Sequence, residues 1–132
     1  MHSYTLSWTF GVGEACKGGH IKNPKWSDIE EKLLSLQRGQ GSVGLEMISG
    51  PDIGPQNLQV EADDGHYLLS LGEDDGEDYI VRTLDNPKCD EYQVGILGNL
   101  YSSRQICRDV GLVIRAFDEF FSSGDVSRDF LV

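Results

Sequence analysis

Five carboxylates stand in six consecutive positions in "LGEDDGEDYIV": Glu73, Asp74, Asp75, Glu77 and Asp78, broken only by Gly76. Carboxylates this dense can bind a cation, pair for general acid–base work, cap a solvated turn, or face a basic partner. The spacing excludes an EF-hand, whose loop needs acids at positions 1, 3 and 5 before glycine at 6. Counting back from Gly76 puts Leu71 at position 1, and counting back from Gly65 puts Val60 there. A glycosidase-type pair needs one acid raised in pKa by an apolar pocket, and adjacent acids in a wet turn offer no such asymmetry. A solvated turn and a protein-recognition surface both stay open. The expectation is no metal, no cofactor and no catalytic group here.

Other chemistry-bearing residues are weaker. "GVGEACKGG" has the glycines of a phosphate loop without G-x-G-x-x-G or a terminal G-K-[ST]. Cys16, beside Lys17 and His20, lacks a third group to complete an activated thiol. His2, His20 and His66 are scattered, and His66 beside Asp64-Gly65 is a strand-edge residue. Cys16, Cys89 and Cys107 are odd in number with no C-x-x-C, which argues against a disulfide framework or a structural zinc and for reduced thiols. Trp26, just before a helix, is a packing residue or an exposed aromatic anchor.

Charge narrows the partner. The 132-residue chain has a net charge of −11, which is not the basic footprint that nucleic-acid binding requires. Residues 1–60 nearly balance, with six acids against five bases. Residues 61–91 carry eleven acids against Arg82 and Lys88. Acidity concentrated in this way can steer a basic protein, and Asp63, Asp64, Glu73, Asp74, Asp75, Glu77 and Asp78 are the candidate partner-binding residues. No apolar run approaches the ~18 residues of a membrane span, and residues 1–20 lack a signal-type block, so no membrane association and a cytoplasmic location are expected.

The elements that position these residues follow from periodicity. "SYTLSWTF" alternates as a half-buried strand. Residues 11–25 read as a Gly- and Lys-rich loop. "SDIEEKLLSLQRG" reads as a helix, with Ser27 and Glu30 as a capping box, Gly39 as the stop, and Ile29, Leu33 and Leu36 on its apolar face. Residues 42–49 read as a strand and 50–55 as a strand-breaking loop. A meander of strands follows over 57–63, 66–72 and 78–84, with Asp64-Gly65 as a hairpin turn. A sixth strand spans 92–98. A second helix runs from Ser102 or Ser103 to Gly124, with Ile106, Val110, Val113, Ile114, Phe117, Phe120 and Phe121 on one stripe, and "VSRDFLV" is a short final strand. Strands that do not alternate with helices imply one α+β domain over 1–132: an antiparallel sheet of about six strands with two helices on one face.

The stretch "LQVEADDGHYLLSLGEDDGEDYIVRTL", then a strand, then "LVIRAFDEFFSSGDVSRDFL", resembles the Imm-type immunity proteins of bacterial polymorphic toxin systems, closest to the first immunity family. There a Gly-containing meander precedes a helix of the form V/I-x-x-F-F, a Gly turn and a final hydrophobic segment. The resemblance covers roughly residues 58–132. It implies a non-catalytic bacterial toxin inhibitor that binds one cognate toxin domain, often a nuclease or nucleic-acid deaminase. The alternatives are a small enzyme or ligand-binding domain using a pocket between sheet and helices, and an accessory structural domain.

Overall fold

A computed structural model describes residues 3–11, 17–86 and 90–132. The strands of the main sheet are β1 (Ser3–Phe10), β2 (Lys17–Lys22), β3 (Gln40–Ser49), β4 (Gly54–Asp63), β5 (His66–Asp74), β6 (Tyr79–Thr83) and β9 (Ile106–Cys107). The sheet is antiparallel, in the order β2-β1-β3-β4-β5-β6, with β9 pairing a second stretch of β5. The helices are α1 (Trp26–Ser35) and α2 (Val110–Ser123). The α+β class and the shared helix face are as the sequence implies.

Alternation along the strands sends Tyr4, Leu6, Val43, Leu45, Leu58, Val60, Leu69 and Leu71 to one face. There they meet Ile29, Leu33 and Leu36 from the α1 region and Val113, Ala116, Phe117 and Phe120 from α2. Burial of these side chains is the main favourable term in folding. Tyr4 joins sheet to helix twice: its ring packs edge-on to Phe120 at 5.6 Å, and its hydroxyl donates to the Phe120 carbonyl at 2.8 Å. Trp26 packs against Phe121, ring centroids 6.2 Å apart, which settles its role as packing. The space between sheet and helices is core.

Several local expectations give way. Within 11–25, Lys17–Lys22 form β2 and pair with β1. The glycine that signals a loop is needed under an indole: a Cβ at Gly19 would lie 2.7 Å from the Trp8 ring. At the start of α1, Asp28 and not Glu30 closes the first turn, its Oδ2 accepting from the Lys25 N–H at 2.9 Å. Gly54 and Pro55, expected as loop, open β4. The α2 helix begins at Val110, capped by Asp109, whose Oδ1 accepts from the Gly111 N–H at 2.9 Å. Residues upstream are used otherwise: Ile106 and Cys107 pair with Leu68 and Tyr67, where β6 no longer reaches β5. At the far end Gly124 takes φ 81°, a left-handed stop that glycine adopts without penalty.

The expected sixth sheet strand instead becomes β7 (Gln93–Ile96) and pairs with β8 (Asn99–Ser102) in a separate hairpin. It lies against β4 and β5, and Leu68, whose position in β5 points away from the helices, is buried along with Val94 and Ile96. Residues 126–132 form turns, not a strand, although Val132 N–H still donates to Thr83 O at 3.0 Å. Among the described residues no helix is long and apolar enough to cross a membrane.

Phe117 is fully buried at the sheet–helix interface. Phe117→Ala should therefore lower stability by about 3–5 kcal/mol, read as a fall in the urea midpoint; an unchanged midpoint would contradict the burial of this face.

Candidate functional site

Strand alternation splits the acidic run. Glu73 shares the parity of Leu69 and Leu71, so it points toward the helices and is only 6% exposed. It meets Arg82, 2% exposed, with Nη1 to Oε1 at 3.1 Å, and Arg128, with Nη2 to Oε2 at 3.0 Å. Arg82 also donates from Nη1 to Asp125 Oδ1 (3.0 Å), from Nη2 to the carbonyls of Val126 (2.7 Å) and Leu131 (2.9 Å), and from Nε to Leu131 O (3.2 Å). A guanidinium has five N–H donors, and these contacts employ all of them. Two arginines face two carboxylates, so the cluster is formally neutral. Glu73, expected as a recognition residue, is thus a fold residue. A lone arginine inside the apolar strand "YIVRT" was the available signal, since a charge in such a strand needs a buried counter-charge.

The other acids of the run form the β5–β6 turn. Asp74 Oδ1 accepts from Gly76 N–H at 2.9 Å. Asp75 Oδ1 accepts from Glu77 N–H at 2.9 Å and Asp78 N–H at 2.7 Å. These N–H groups, Asp78's foremost, hold the Asp75 carboxyl below the usual carboxylate range. Glu77 and Asp78 are exposed, and their side chains have no partner among the described residues.

Asp63 and Asp64 lie at the opposite end of β5. Eight residue steps separate His66 from Asp74, about 27 Å at a strand's rise of about 3.4 Å per residue. Asp63 is committed to structure: it accepts from Gln40 Nε2 (3.1 Å) and from Leu97 N–H (3.0 Å), which ties down the β7–β8 hairpin. Asp64 is exposed, at φ 49° in the turn with Gly65 at 79°. The seven candidate residues therefore do not converge. No group of three or more His, Cys, Asp or Glu able to hold a metal occurs among the described residues.

Sequence reasoning missed the apolar surface beside the acidic turn. Tyr79, Ile80 and Val81 are all exposed, at 57%, 37% and 59%. Ile53 is also exposed and lies against the turn: a Cβ on Gly76 would be 3.5 Å from its Cδ1. Tyr79 crosses the sheet over Gly72, where a side chain would collide with its hydroxyl, and bonds Asn57 Nδ2 at 2.6 Å. The tyrosine is thereby fixed in place. Three successive apolar residues in "DYIVRTL" were the signal, because a half-buried strand should alternate.

Two further features bear on chemistry. A trough of about 390 Å³ runs along the open face of the sheet, lined by Ser7, Thr9, Ser42, Glu46, Asn57 and Gln59. Cys107 is buried, with Sγ 3.2 Å from Asp109 O, and burial pushes its thiol up, away from thiolate reactivity. Cys16, Cys89 and His2 lie outside the described residues.

Residues 7–130 match the model of the family of unknown function DUF6911, and the chain belongs to that family. The fold is similar to that of a hypothetical protein from Neisseria gonorrhoeae seen in a crystal structure, with a TM-score of 0.78, 18% identity, and coverage of 95% of this chain and 91% of that one. At that identity the likeness is one of fold. No curated protein matches the chain.

Two outcomes follow from this geometry. Glu73→Ala removes the buried counter-charge of Arg82, leaving it the exposed Asp125, and should cost about 3–5 kcal/mol, whereas Glu77→Gln and Asp78→Asn should change stability by less than about 0.5 kcal/mol; equal urea midpoints for all three variants would contradict the assignment of Glu73. Asp75 has a folded pKa below its unfolded value. Its contribution is therefore present above the unfolded pKa and lost as pH falls through the folded one. A carboxyl NMR titration of Asp75 should have its midpoint below that of an aspartate in an unstructured peptide; a midpoint at or above it would mean the turn bonds do not persist in solution.

Proposed function

We propose that this chain is a non-catalytic cytoplasmic binding protein of the immunity type, which neutralises a toxin domain by covering a basic surface on it. The observation that carries this reading is the exposed apolar strand that follows the acidic turn at the β5–β6 end of the sheet. The exposed carboxylates of Asp75, Glu77 and Asp78, with the half-exposed Asp74, adjoin Ile53 at the turn and the exposed Tyr79 and Val81 on the open face, while Ile80 is exposed on the other face of the same edge strand. An apolar centre with a charged rim is how protein interfaces are commonly built. The net charge of −11 adds long-range steering toward a basic surface, and the sequence resemblance to immunity proteins points the same way. Glu73 and Asp63 drop out of the recognition set, since their carboxylates are already bonded within the fold. Asp64, at the far end of β5, would touch only a partner that spans the sheet.

The trough favours a second reading, a small polar ligand held by the hydroxyl and amide groups of Ser7, Thr9, Ser42, Asn57 and Gln59. That reading moves the ligand from the expected sheet–helix pocket, which is filled by core, to the open face. The two readings separate by mutation, because the trough and the acidic turn share no residue.

The test starts from the gene neighbourhood, where the proposal expects a toxin domain and its absence would contradict the immunity reading; association with that domain is then followed by surface plasmon resonance at low and high salt. Converting Asp74, Asp75 and Asp78 to Asn and Glu77 to Gln keeps the turn acceptors and removes four charges. It should slow association about tenfold or more at low salt and flatten its salt dependence, with little change in dissociation. Equal association rates and salt slopes would leave the acidic turn without a role in recognition.

A further inference from the structure

The backbone at the sheet edge specifies how a partner would dock. Asp75 N–H donates to Asp78 O at 3.0 Å. In an antiparallel ladder, bonded and non-bonded pairs alternate. With Glu73 opposite Ile80 and Leu71 opposite Arg82, it is Ile80 and Arg82 that bond β5. The N–H and C=O groups of Tyr79, Val81 and Thr83 then face outward. Thr83 agrees, since its carbonyl takes the Val132 N–H. The outward groups of Tyr79 and Val81 have no partner among the described residues. Natural edge strands are commonly blunted by charge, proline or a bulge. The opposite edge strand β2 exposes Lys17, His20 and Lys22, whereas β6 exposes Tyr79, Ile80 and Val81.

We propose that the outer edge of β6 accepts an extended cationic segment of a partner protein as an added strand, with the backbone of Tyr79 and Val81 supplying the hydrogen bonds. Strand addition of this kind draws affinity from the main chain and selectivity from alternate side chains. The charge distribution sets the occupant. Acids stand at both ends of β6: Asp75, Glu77 and Asp78 before it and the exposed Asp85 after it. A second copy paired at this edge, in either direction, would set acid against acid, with −11 on each chain. A strand carrying lysine or arginine meets opposite charge at both ends. The proposal rests on the basic-partner reading above and adds the mode of docking.

The probe is a blocked ten-residue peptide alternating lysine with valine, together with the same peptide N-methylated at every residue, so that no amide on either edge can donate. Binding at low salt is followed by amide chemical shifts and hydrogen exchange. The unmethylated peptide should shift and protect Tyr79 and Val81, and the methylated peptide should bind at least tenfold more weakly. Val81→Pro removes an outward N–H and no bond to β5, a position where edge strands tolerate proline; it should weaken the unmethylated peptide at least tenfold, while Val81→Thr should bind as wild type. If Val81→Pro proves unfolded by circular dichroism, the methylated peptide carries the test alone. Binding that survives both N-methylation and Val81→Pro, yet is lost when the four turn acids are neutralised, overturns strand addition and leaves the acidic-surface reading intact. Binding that ignores the four acids overturns the cationic partner and that reading together. A wild-type dimer with Tyr79 and Val81 protected in sedimentation and exchange experiments would make a second copy the occupant and overturn the proposal.

Discussion

The buried guanidinium of Arg82 is the contact on which this end of the molecule depends. It sits on β6, reaches Glu73 on β5, and takes two carbonyls and a carboxylate from residues 125–131, the segment that follows α2. Without it β6 would lose its charged tie to β5, and the segment after α2 would lose the donor to its Val126 and Leu131 carbonyls. A charge taken out of water at this cost is stable only when all its hydrogen-bonding capacity is met, and here it is. The same cluster explains why one carboxylate of the acidic run faces inward while its neighbours face water.

A surface at the edge of a sheet is a poor binding site if the edge frays. The Arg82 cluster, the Tyr79–Asn57 bond across Gly72, and the Asp75 turn bonds each pin a different part of the β5–β6 hairpin. Rigid presentation lowers the conformational cost of association. At the other end of β5, Asp63 does comparable work for the β7–β8 hairpin. Acids that lie close together in sequence thus divide into those that build the fold and those that remain free to meet a partner.

Much of the fold was legible because its signals are local. Period-two alternation in Ser3–Phe10, the Asp64-Gly65 turn and the phenylalanine stripe of α2 each depend on neighbours within a few residues. What escaped depends on contacts distant in sequence. Gly19 looks like loop until the Trp8 ring is laid over it. Ile106 continues the helical stripe, yet it pairs with Leu68 because β6 leaves that stretch of β5 open. Residues 92–98 have the pattern of a sheet strand, but that pattern does not say whether a strand joins the sheet or folds over it. Half the site was visible as charge; the apolar half was visible only as a break in alternation at Tyr79, Ile80 and Val81. Which side of β5 Glu73 occupies was in principle legible from parity, once Arg82 was taken as a buried residue.

Hydrogen–deuterium exchange on this chain, free and bound to the basic toxin domain that the proposed function requires as partner, tests most directly the proposal that recognition belongs to the β5–β6 end. The expected footprint is new protection over residues 74–83, with the Asp64-Gly65 turn and the strands lining the trough unchanged. Protection confined to the trough, or to the Asp64-Gly65 turn, with residues 74–83 exchanging as in the free protein, would contradict it.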